Sequence, residues 1–383
     1  MQFLDRLRWR GPGKVYTLPW MKNRIEYSAD PNRIAAYSKT DFTRSQLTMN
    51  MLTQFHLSNH SIVVSDDDHA GFLRKLFLKH SPSSESYPAI ARDLVEAVFA
   101  PGGGSAEGRT IHLSHVLIRE LYSSLLSNVL RVNILIPLAE YIKQVDFQPG
   151  LRHMHLKGLM YAFGLHLPAV VPVRTIVDLA LFGRERNTRR IARKLEQMVF
   201  DFSTPKQGGW YSTLLELKAT GRITRAQFRG ELTSVLVSSY SLAAAVSSML
   251  LCLAARPAYI AKIRHDPPLA KCFVNEVLRL YPPFRQFGYE QKDIWNTPES
   301  SDAETTDFMV AVFALHRNRD AWRNPERFYP ERFLEPGAIS GSKFMPFGMG
   351  KRACPGRIFS MTLMVELLKY VAADGCKVRF ELP

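Results

Sequence analysis

From Leu232 to Ala255 the chain runs for 24 residues without a charged side chain, "LTSVLVSSYSLAAAVSSMLLCLAA". Nothing else in the sequence narrows the fold as much. A helix of that length reaches across about 36 Å, so it must lie either in a bilayer or through the middle of a large protein. Six serines, one threonine and one tyrosine interrupt its apolar character, and it sits in mid-chain with no companion span. We therefore expect a long buried helix and no transmembrane span. The chain has 383 residues, 46% of them hydrophobic and 22% charged, which is ample material for a core around such a helix.

The flanking sequence fits that frame. Residues 13–64 are expected to be strand-rich, with "GKVYTLPW" and "NRIEYSA" as a hairpin-like pair and "DPNRIAAYSKT" as a capped helix. Residues 68–282 carry mostly helical patterns, as in "SHVLIRELYSSLLSNVLRVNILIPLAEYIKQ" and "NTRRIARKLEQMVFDFS". The Pro/Gly-rich pieces at 101–104 and 204–209 are expected to be connecting loops. "KCFVNEVLRLYPP" is helical up to Tyr281 and is stopped by Pro282 and Pro283. Over 283–383 we expect a strand running into a helical turn ("FMVAVFALH"), a Pro-punctuated meander ("NPERFYPERF") and a last helix from about Arg357 to Ala373. There is no internal repeat, and residues 1–383 read as one domain, mainly α with a small β region.

The formal net charge of +15 suggests acidic partners. No basic low-complexity run or nucleic-acid-binding motif is present, so an acidic protein stands at least level with nucleic acid. Cysteines at 252, 272, 354 and 376 form no CxxC pair and no zinc spacing, which fits a reducing cytoplasm. The N-terminal "MQFLDRLRWRGPG" has no apolar stretch of signal-peptide length and reads as a solvated first turn.

One cysteine has unusual surroundings. Cys354 lies in "KFMPFGMGKRACPGRIFS", among glycines, two cations and a proline, just before the last helix. Pro355 is expected in that helix's first turn, where proline is favoured, placing Cys354 at its N-terminus. Unpaired N–H groups, the positive end of the dipole, Lys351 and Arg352 would all lower a thiol pKa. Gly348, Gly350 and Gly356 let the backbone turn tightly and approach a flat partner closely. A thiolate there is a nucleophile or a metal ligand. No histidine in the segment serves as a base, and a lone thiolate in a glycine-rich loop suits an axial ligand of haem iron. An ordinary cysteine at a helix start remains the plain alternative.

The pattern Phe347-x-x-Gly350-x-Arg352-x-Cys354-x-Gly356 resembles the haem-binding loop of the cytochrome P-450 superfamily, FxxGxRxCxG, at every fixed position. Two further matches follow the family's order. Glu276 and Arg279 in "NEVLRLYPP" match its ExxR, and "NPERFYPERF" matches its meander, with Arg332 as partner of that pair. Being three apart, Glu276 and Arg279 share a helix face and with Arg332 can form a buried, paired charge network. The resemblance implies a mainly helical fold with a small sheet to one side. Haem b (iron protoporphyrin IX) would lie between a long distal helix and a proximal Cys-loop helix. It makes Cys354 the iron ligand, Arg352 a propionate partner and Phe347 the ring beside the thiolate. His69 and Arg74 in "DDDHAGFLRK", and His316, are further haem-binding candidates, although the first two lack the family's common spacing.

The sequence departs from the family in two places. The uncharged segment falls where the family has its distal helix. Set by Pro257, the usual (A/G)-G-x-(D/E)-T becomes Val237-Ser238-Ser239-Tyr240-Ser241. The acid–alcohol pair that delivers protons is thus replaced by Tyr240 and Ser241. Ser241 keeps a hydroxyl, whereas a tyrosine with a pKa near 10 is a poor relay. The plain alternative is that the serines bond only their own helix carbonyls. Also, 29 residues follow Cys354, so a pocket-lining hairpin found in most relatives is expected to be curtailed.

The expected function is a monooxygenase, soluble and bacterial in type, acting on a hydrophobic small molecule in specialised-metabolite biosynthesis. Its substrate would contact Val237 and Ser238, and Ser241 and Tyr240 would be the catalytic pair. Electrons would come from a ferredoxin or flavodoxin with its reductase, docking near Lys351 and Arg357. Nucleic acid is not an expected partner. A peroxide-driven or non-oxidative rearranging, dehydrating or cyclising enzyme is the alternative, and a non-enzymatic haem-binding protein is the third reading.

Overall fold

Residues 15–16, 24–40, 42–44, 67–80, 88–89, 110–112, 210–291, 306–339, 341–373 and 379–381 are described by the structure, a computed structural model. The sequence expectations for the N-terminal turn, for the loops at 101–104 and 204–209, and for the helical patterns between 113 and 209 lie outside them.

The long uncharged segment is helical and mostly buried. Helix α4 runs Arg225–Ala254, after α1 (Pro31–Tyr37), α2 (Asp67–His80) and α3 (Trp210–Ala219). Its start is set by a capping box: Thr224 Oγ1 accepts from the Gln227 N–H at 3.2 Å, and Gln227 Oε1 accepts from the Thr224 N–H at 2.7 Å. Among the described residues no single helix is long and apolar enough to cross a membrane. Helices α5 (Ala258–His265), α6 (Leu269–Leu280) and α8 (Arg357–Ala372) pack with it. Helix α6 is buried at every position but Lys271, so its charged residues must find their partners inside. Helix α8 buries Leu363, Met364, Leu367, Leu368, Val371 and Ala372, a stripe at helical spacing.

The smaller layer is a five-stranded sheet in the order β1 (Val15–Tyr16), β2 (Arg24–Ser28), β6 (Thr306–Val310), β5 (Phe287–Gln291), β3 (Phe42–Arg44). The expected hairpin-like pair is β1 and β2, antiparallel with Val15 opposite Glu26. Strand β6 lies parallel to β2 and antiparallel to β5, and it runs into the short helix α7 (Val312–Leu315), the expected strand and helical turn. The capped helix is α1, where Asp30 Oδ1 accepts from the Asn32 N–H at 2.9 Å. A separate parallel pair joins β4 (Thr110–His112) to β7 (Arg379–Glu381), so the chain after α8 does contribute a strand.

Two apolar cores form among the described residues. One gathers α3–α6, α8 and the meander, and the other lies under the sheet around Phe42, Tyr289, Phe308 and Val310. The segment before Cys354 bridges them: Phe344 and Phe347 pack into the helical core, and Met345 and Met349 into the sheet's core.

Candidate functional site

Three residues from two separate parts of the sequence meet in one buried network. Arg279 donates from Nε to Glu276 Oε2 at 2.7 Å and from a terminal nitrogen to Oε1 at 2.8 Å, a two-pronged bond between side chains with no exposed surface. Arg332, on the 3₁₀ turn Pro330–Leu334, approaches the same carboxylate at 3.3 Å. The Tyr329 N–H adds a bond to Glu276 Oε1 at 2.7 Å. The remaining guanidinium donors end on main-chain carbonyls: those of His316 (2.6 Å) and Arg327 (3.3 Å) for Arg279, and those of Arg323 (2.7 Å), Asn324 (3.3 Å) and Arg327 (3.0 Å) for Arg332. One carboxylate and two arginines thus fix the meander's backbone against α6.

His316 carries that order onward to the cysteine segment. It is fully buried, and its ring bridges two main chains. Met345 N–H donates to Nε2 at 3.1 Å, so Nδ1 bears the proton and donates to the Arg279 carbonyl at 3.1 Å. Burial lowers its pKa from 6.5 to about 3, so it stays neutral. Phe344 stacks on the ring at 5.3 Å. Both ring nitrogens are committed to the backbone, which places His316 in the scaffold rather than at a cofactor carboxylate.

The cysteine loop closes on itself through the Cys354 N–H, which donates to the Phe347 carbonyl at 2.8 Å. Its glycines divide into two kinds. Gly348 (φ 73°) and Gly350 (φ 60°) occupy the left-handed region, and added Cβ atoms there would crowd Tyr289 Oη and overlap the Phe42 ring. The protein's own packing accounts for both. Gly356 has an ordinary φ of −80°, and a Cβ on it would make only an ordinary 3.8 Å contact with Cys354 Sγ. What its missing side chain does is leave the space beside the sulfur clear.

Gly356 is also the N-cap of α8, which starts at Arg357. This corrects the expected boundary: Pro355 lies before the cap and not in the first turn. The turn from the Cys354 carbonyl to the Arg357 N–H, at 3.3 Å, still brings the sulfur to the helix start. Cys354 is half-buried and the Arg352 side chain is buried, while Lys351 and Arg357 are exposed. The other described cysteines are of a different kind, since burial pushes the Cys252 thiol up to about 12 and raises that of Cys272.

Arg74 and His69 both lie on α2 and reach different places. Arg74 donates to the carbonyls of Ala353 and Lys351 within the cysteine loop, the latter at 3.4 Å. His69 Nδ1 pairs with Gln227 Nε2 at 3.1 Å and so ties α2 to the start of α4. On α4, Ser238 is exposed and Ser241, Ala244 and Ser248 are half-buried, three or four residues apart on one face; Ser239 is buried on another. Val237 and Tyr240 belong to the helix, but their side chains lie outside the described residues. Ser247, buried on an adjoining face, bonds its own helix at Ala243 O (2.9 Å).

Sequence reasoning missed the sheet's part in the site. Tyr289 is buried and its hydroxyl accepts the Met349 N–H at 3.1 Å. Its ring meets Phe42 edge-on at 5.2 Å, and Phe42 lies against Gly350. No local pattern announces this, because Tyr289 and Phe42 are far from the loop in sequence.

Residues 238–369 match the family model described as cytochrome P450. Indolin-2-one monooxygenase of Zea mays is 38% identical over 110 residues, covering 26% of this chain and 20% of that protein. Taurochenodeoxycholic 6 alpha-hydroxylase of Sus scrofa is 35% identical over 116 residues, covering 30% and 22%. The aligned part is thus about a fifth of the length of these curated relatives. Among solved structures, CYP175A1 from Thermus thermophilus superposes with a TM-score of 0.66 at 19% identity, over 97% of this chain and 89% of that one. A six-coordinated cytochrome P450 from another strain of the same organism gives a TM-score of 0.65 at 19% identity with the same coverage. The fold is that of the cytochromes P450, and the sequence likeness is concentrated in the part that holds Cys354.

Proposed function

We propose that this chain is a haem-thiolate monooxygenase acting on a hydrophobic small molecule, with electrons from a separate ferredoxin or flavodoxin system and a place in specialised metabolism. One observation carries the reading: Cys354 sits at a helix start, in a closed loop, with the space beside its sulfur kept clear by Gly356. The donor set fits as well. A single thiolate in a glycine-rich loop at a helix start suits an iron whose other ligands come from a porphyrin, as in haem.

Cys354 would hold the iron, with Gly356 leaving room and the buried Arg352 guanidinium the candidate partner for a haem carboxylate. Bound there, haem supplies the redox chemistry of oxygen activation. The protein's own contribution is position and protons. The network around Glu276 and His316 keeps the loop in place. The Ser241 hydroxyl would hold or pass a proton on the distal side, with Val237 and Ser238 next to substrate. Exposed Lys351 and Arg357 beside the loop suit an acidic electron donor.

A second reading has its own support. Glu231 is the only carboxylate on α4, ten residues before Ser241, so this stretch of helix offers no acid for proton delivery. That favours a peroxide-driven or non-oxidative P450. The deciding experiment incubates haem-loaded protein with host metabolite extract under labelled dioxygen, with and without a surrogate ferredoxin system. Label entering a product only when reductant is present supports the monooxygenase. A product formed without label, oxygen or reductant overturns it in favour of the second reading.

A further inference from the structure

Sulfur ligands are only as well placed as the backbone that carries them, and here part of that backbone is held by a residue outside every motif. The main chain at Met349 stands between two left-handed glycines, Gly348 and Gly350. Its N–H points into the sheet's core, away from water, where an unpaired donor is costly. Tyr289 Oη accepts it at 3.1 Å. The same oxygen lies 3.0 Å from the place of a Gly348 Cβ, so the turn and the hydroxyl are fitted to one another. Phe42, edge-on to the Tyr289 ring, fills the space under Gly350. Tyr289 is itself fixed by β5, pairing with β3 opposite Arg44 and with β6 opposite Phe308.

We infer that Tyr289 is a positioning residue for the Cys354 thiolate: its hydroxyl holds the Met349 amide and thereby sets the loop geometry that presents the sulfur. The inference rests on the haem-thiolate reading for its consequence, but not for the contact. Besides the apolar packing of Met345 and Met349, the sheet reaches the loop through this oxygen and the Phe42 ring beneath Gly350. Loss of the oxygen frees the turn to rock about its two glycines, the backbone positions with the least resistance to rotation. Cys354 lies five residues on, joined to the turn through the bond between its N–H and the Phe347 carbonyl.

The test compares Tyr289→Phe with Tyr37→Phe in the full chain. Tyr37 stacks on Phe308 in the same core at 4.0 Å, and its buried hydroxyl has no hydrogen-bond partner among the described residues, so its removal is the matched control. Two quantities are read: hydrogen exchange at the Met349 amide, with and without haem, and the band positions of the reduced carbonyl complex. Tyr289→Phe is expected to speed Met349 exchange roughly three- to tenfold. It should also move carbonyl complex from the thiolate-ligated, red-shifted band to the thiol-ligated one, while Tyr37→Phe does neither. Unchanged exchange overturns the inference, and so does faster exchange with an unchanged band, which would make Tyr289 merely structural. An equal effect in Tyr37→Phe would also overturn it. If the parent protein lacks a red-shifted band while its Met349 amide is protected, the haem-thiolate reading fails, and the positioning role falls with it although the contact stands.

Discussion

The cysteine loop and the middle of α4 are built on opposite plans. Around the loop, named donors meet named acceptors. Met345 N–H goes to His316, Met349 N–H to Tyr289, Cys354 N–H to Phe347, and the Arg74 guanidinium to the Ala353 carbonyl. Behind them one carboxylate holds two arginines in a buried network. The middle of α4 has small side chains on an unbroken helix, hydroxyls on the face with Ser238 and Ser241, and no charge between Leu232 and Ala255. A ligand atom needs one position, and a rigid polar lattice gives it one. A surface that meets substrate needs shape and a few movable hydroxyls, and small residues supply those. On the proposed function, the cysteine-loop side of the site is therefore specified residue by residue, and the α4 side mainly by volume.

That contrast breaks first at Glu276. Glu276→Ala leaves Arg279 and Arg332 buried with like charges and no carboxylate, a change that costs about 3–5 kcal/mol. That is a large part of the stability of an ordinary domain. We expect little folded protein, and what folds should melt far lower by circular dichroism. A variant within a few degrees of the parent would mean that the lattice is not what holds the loop's foundation.

Cys354→Ser acts at the other end of the same lattice and should do the reverse. The side chain is half-buried and similar in volume, so the fold should persist. The red-shifted band of the reduced carbonyl complex should vanish altogether. A red-shifted band that survives the substitution would remove Cys354 as the ligand.

The third test uses pH. An unfolded histidine takes up a proton near pH 6.5, whereas buried His316 resists until about 3. Between those values the unfolded chain binds more protons, so the stability difference tied to this ring is lost as pH falls from 6.5 towards 3. At about 1.4 kcal/mol per pH unit, the loss at pH 5 is about 2 kcal/mol. His316→Gln, which cannot titrate, should be weaker than the parent at pH 7 yet lose about 2 kcal/mol less between pH 7 and pH 5 in urea unfolding. Equal losses in both proteins would show that other groups dominate the acid limb.

How much of this was legible beforehand follows the same division. The buried helix could be read because 24 residues without charge leave few alternatives. Glu276, Arg279 and Cys354 could be read because their spacing is short and their chemistry specific. Arg332 was reachable only through the family resemblance, since nothing local joins it to a helix over 50 residues away. Tyr289 and Phe42 were not legible at all: a tyrosine in a strand usually means core packing, and its bond to Met349 spans 60 residues. Arg74 and His69 had the right chemistry for a cofactor carboxylate, but the residues they reach depend on how α2 lies against α4 and the loop. His316 stood as a haem-binding candidate because sequence cannot show that both ring nitrogens are used by main chains.

The smallest effect tests the distal side, through two serines on one helix. Ser247 is buried and its hydroxyl returns to the Ala243 carbonyl, a bond that competes with the helix. Ser247→Ala should leave stability within about 0.5 kcal/mol of the parent, since alanine is the better helix former and only an intrahelical bond is lost. Ser241→Ala should be as mild for stability and for haem content. It should differ in product formed per electron consumed, because only Ser241 lies on the half-buried face where a proton would be needed. If the two variants couple electrons to product equally well, the Ser241 hydroxyl has no proton role, and volume alone describes that side of the site.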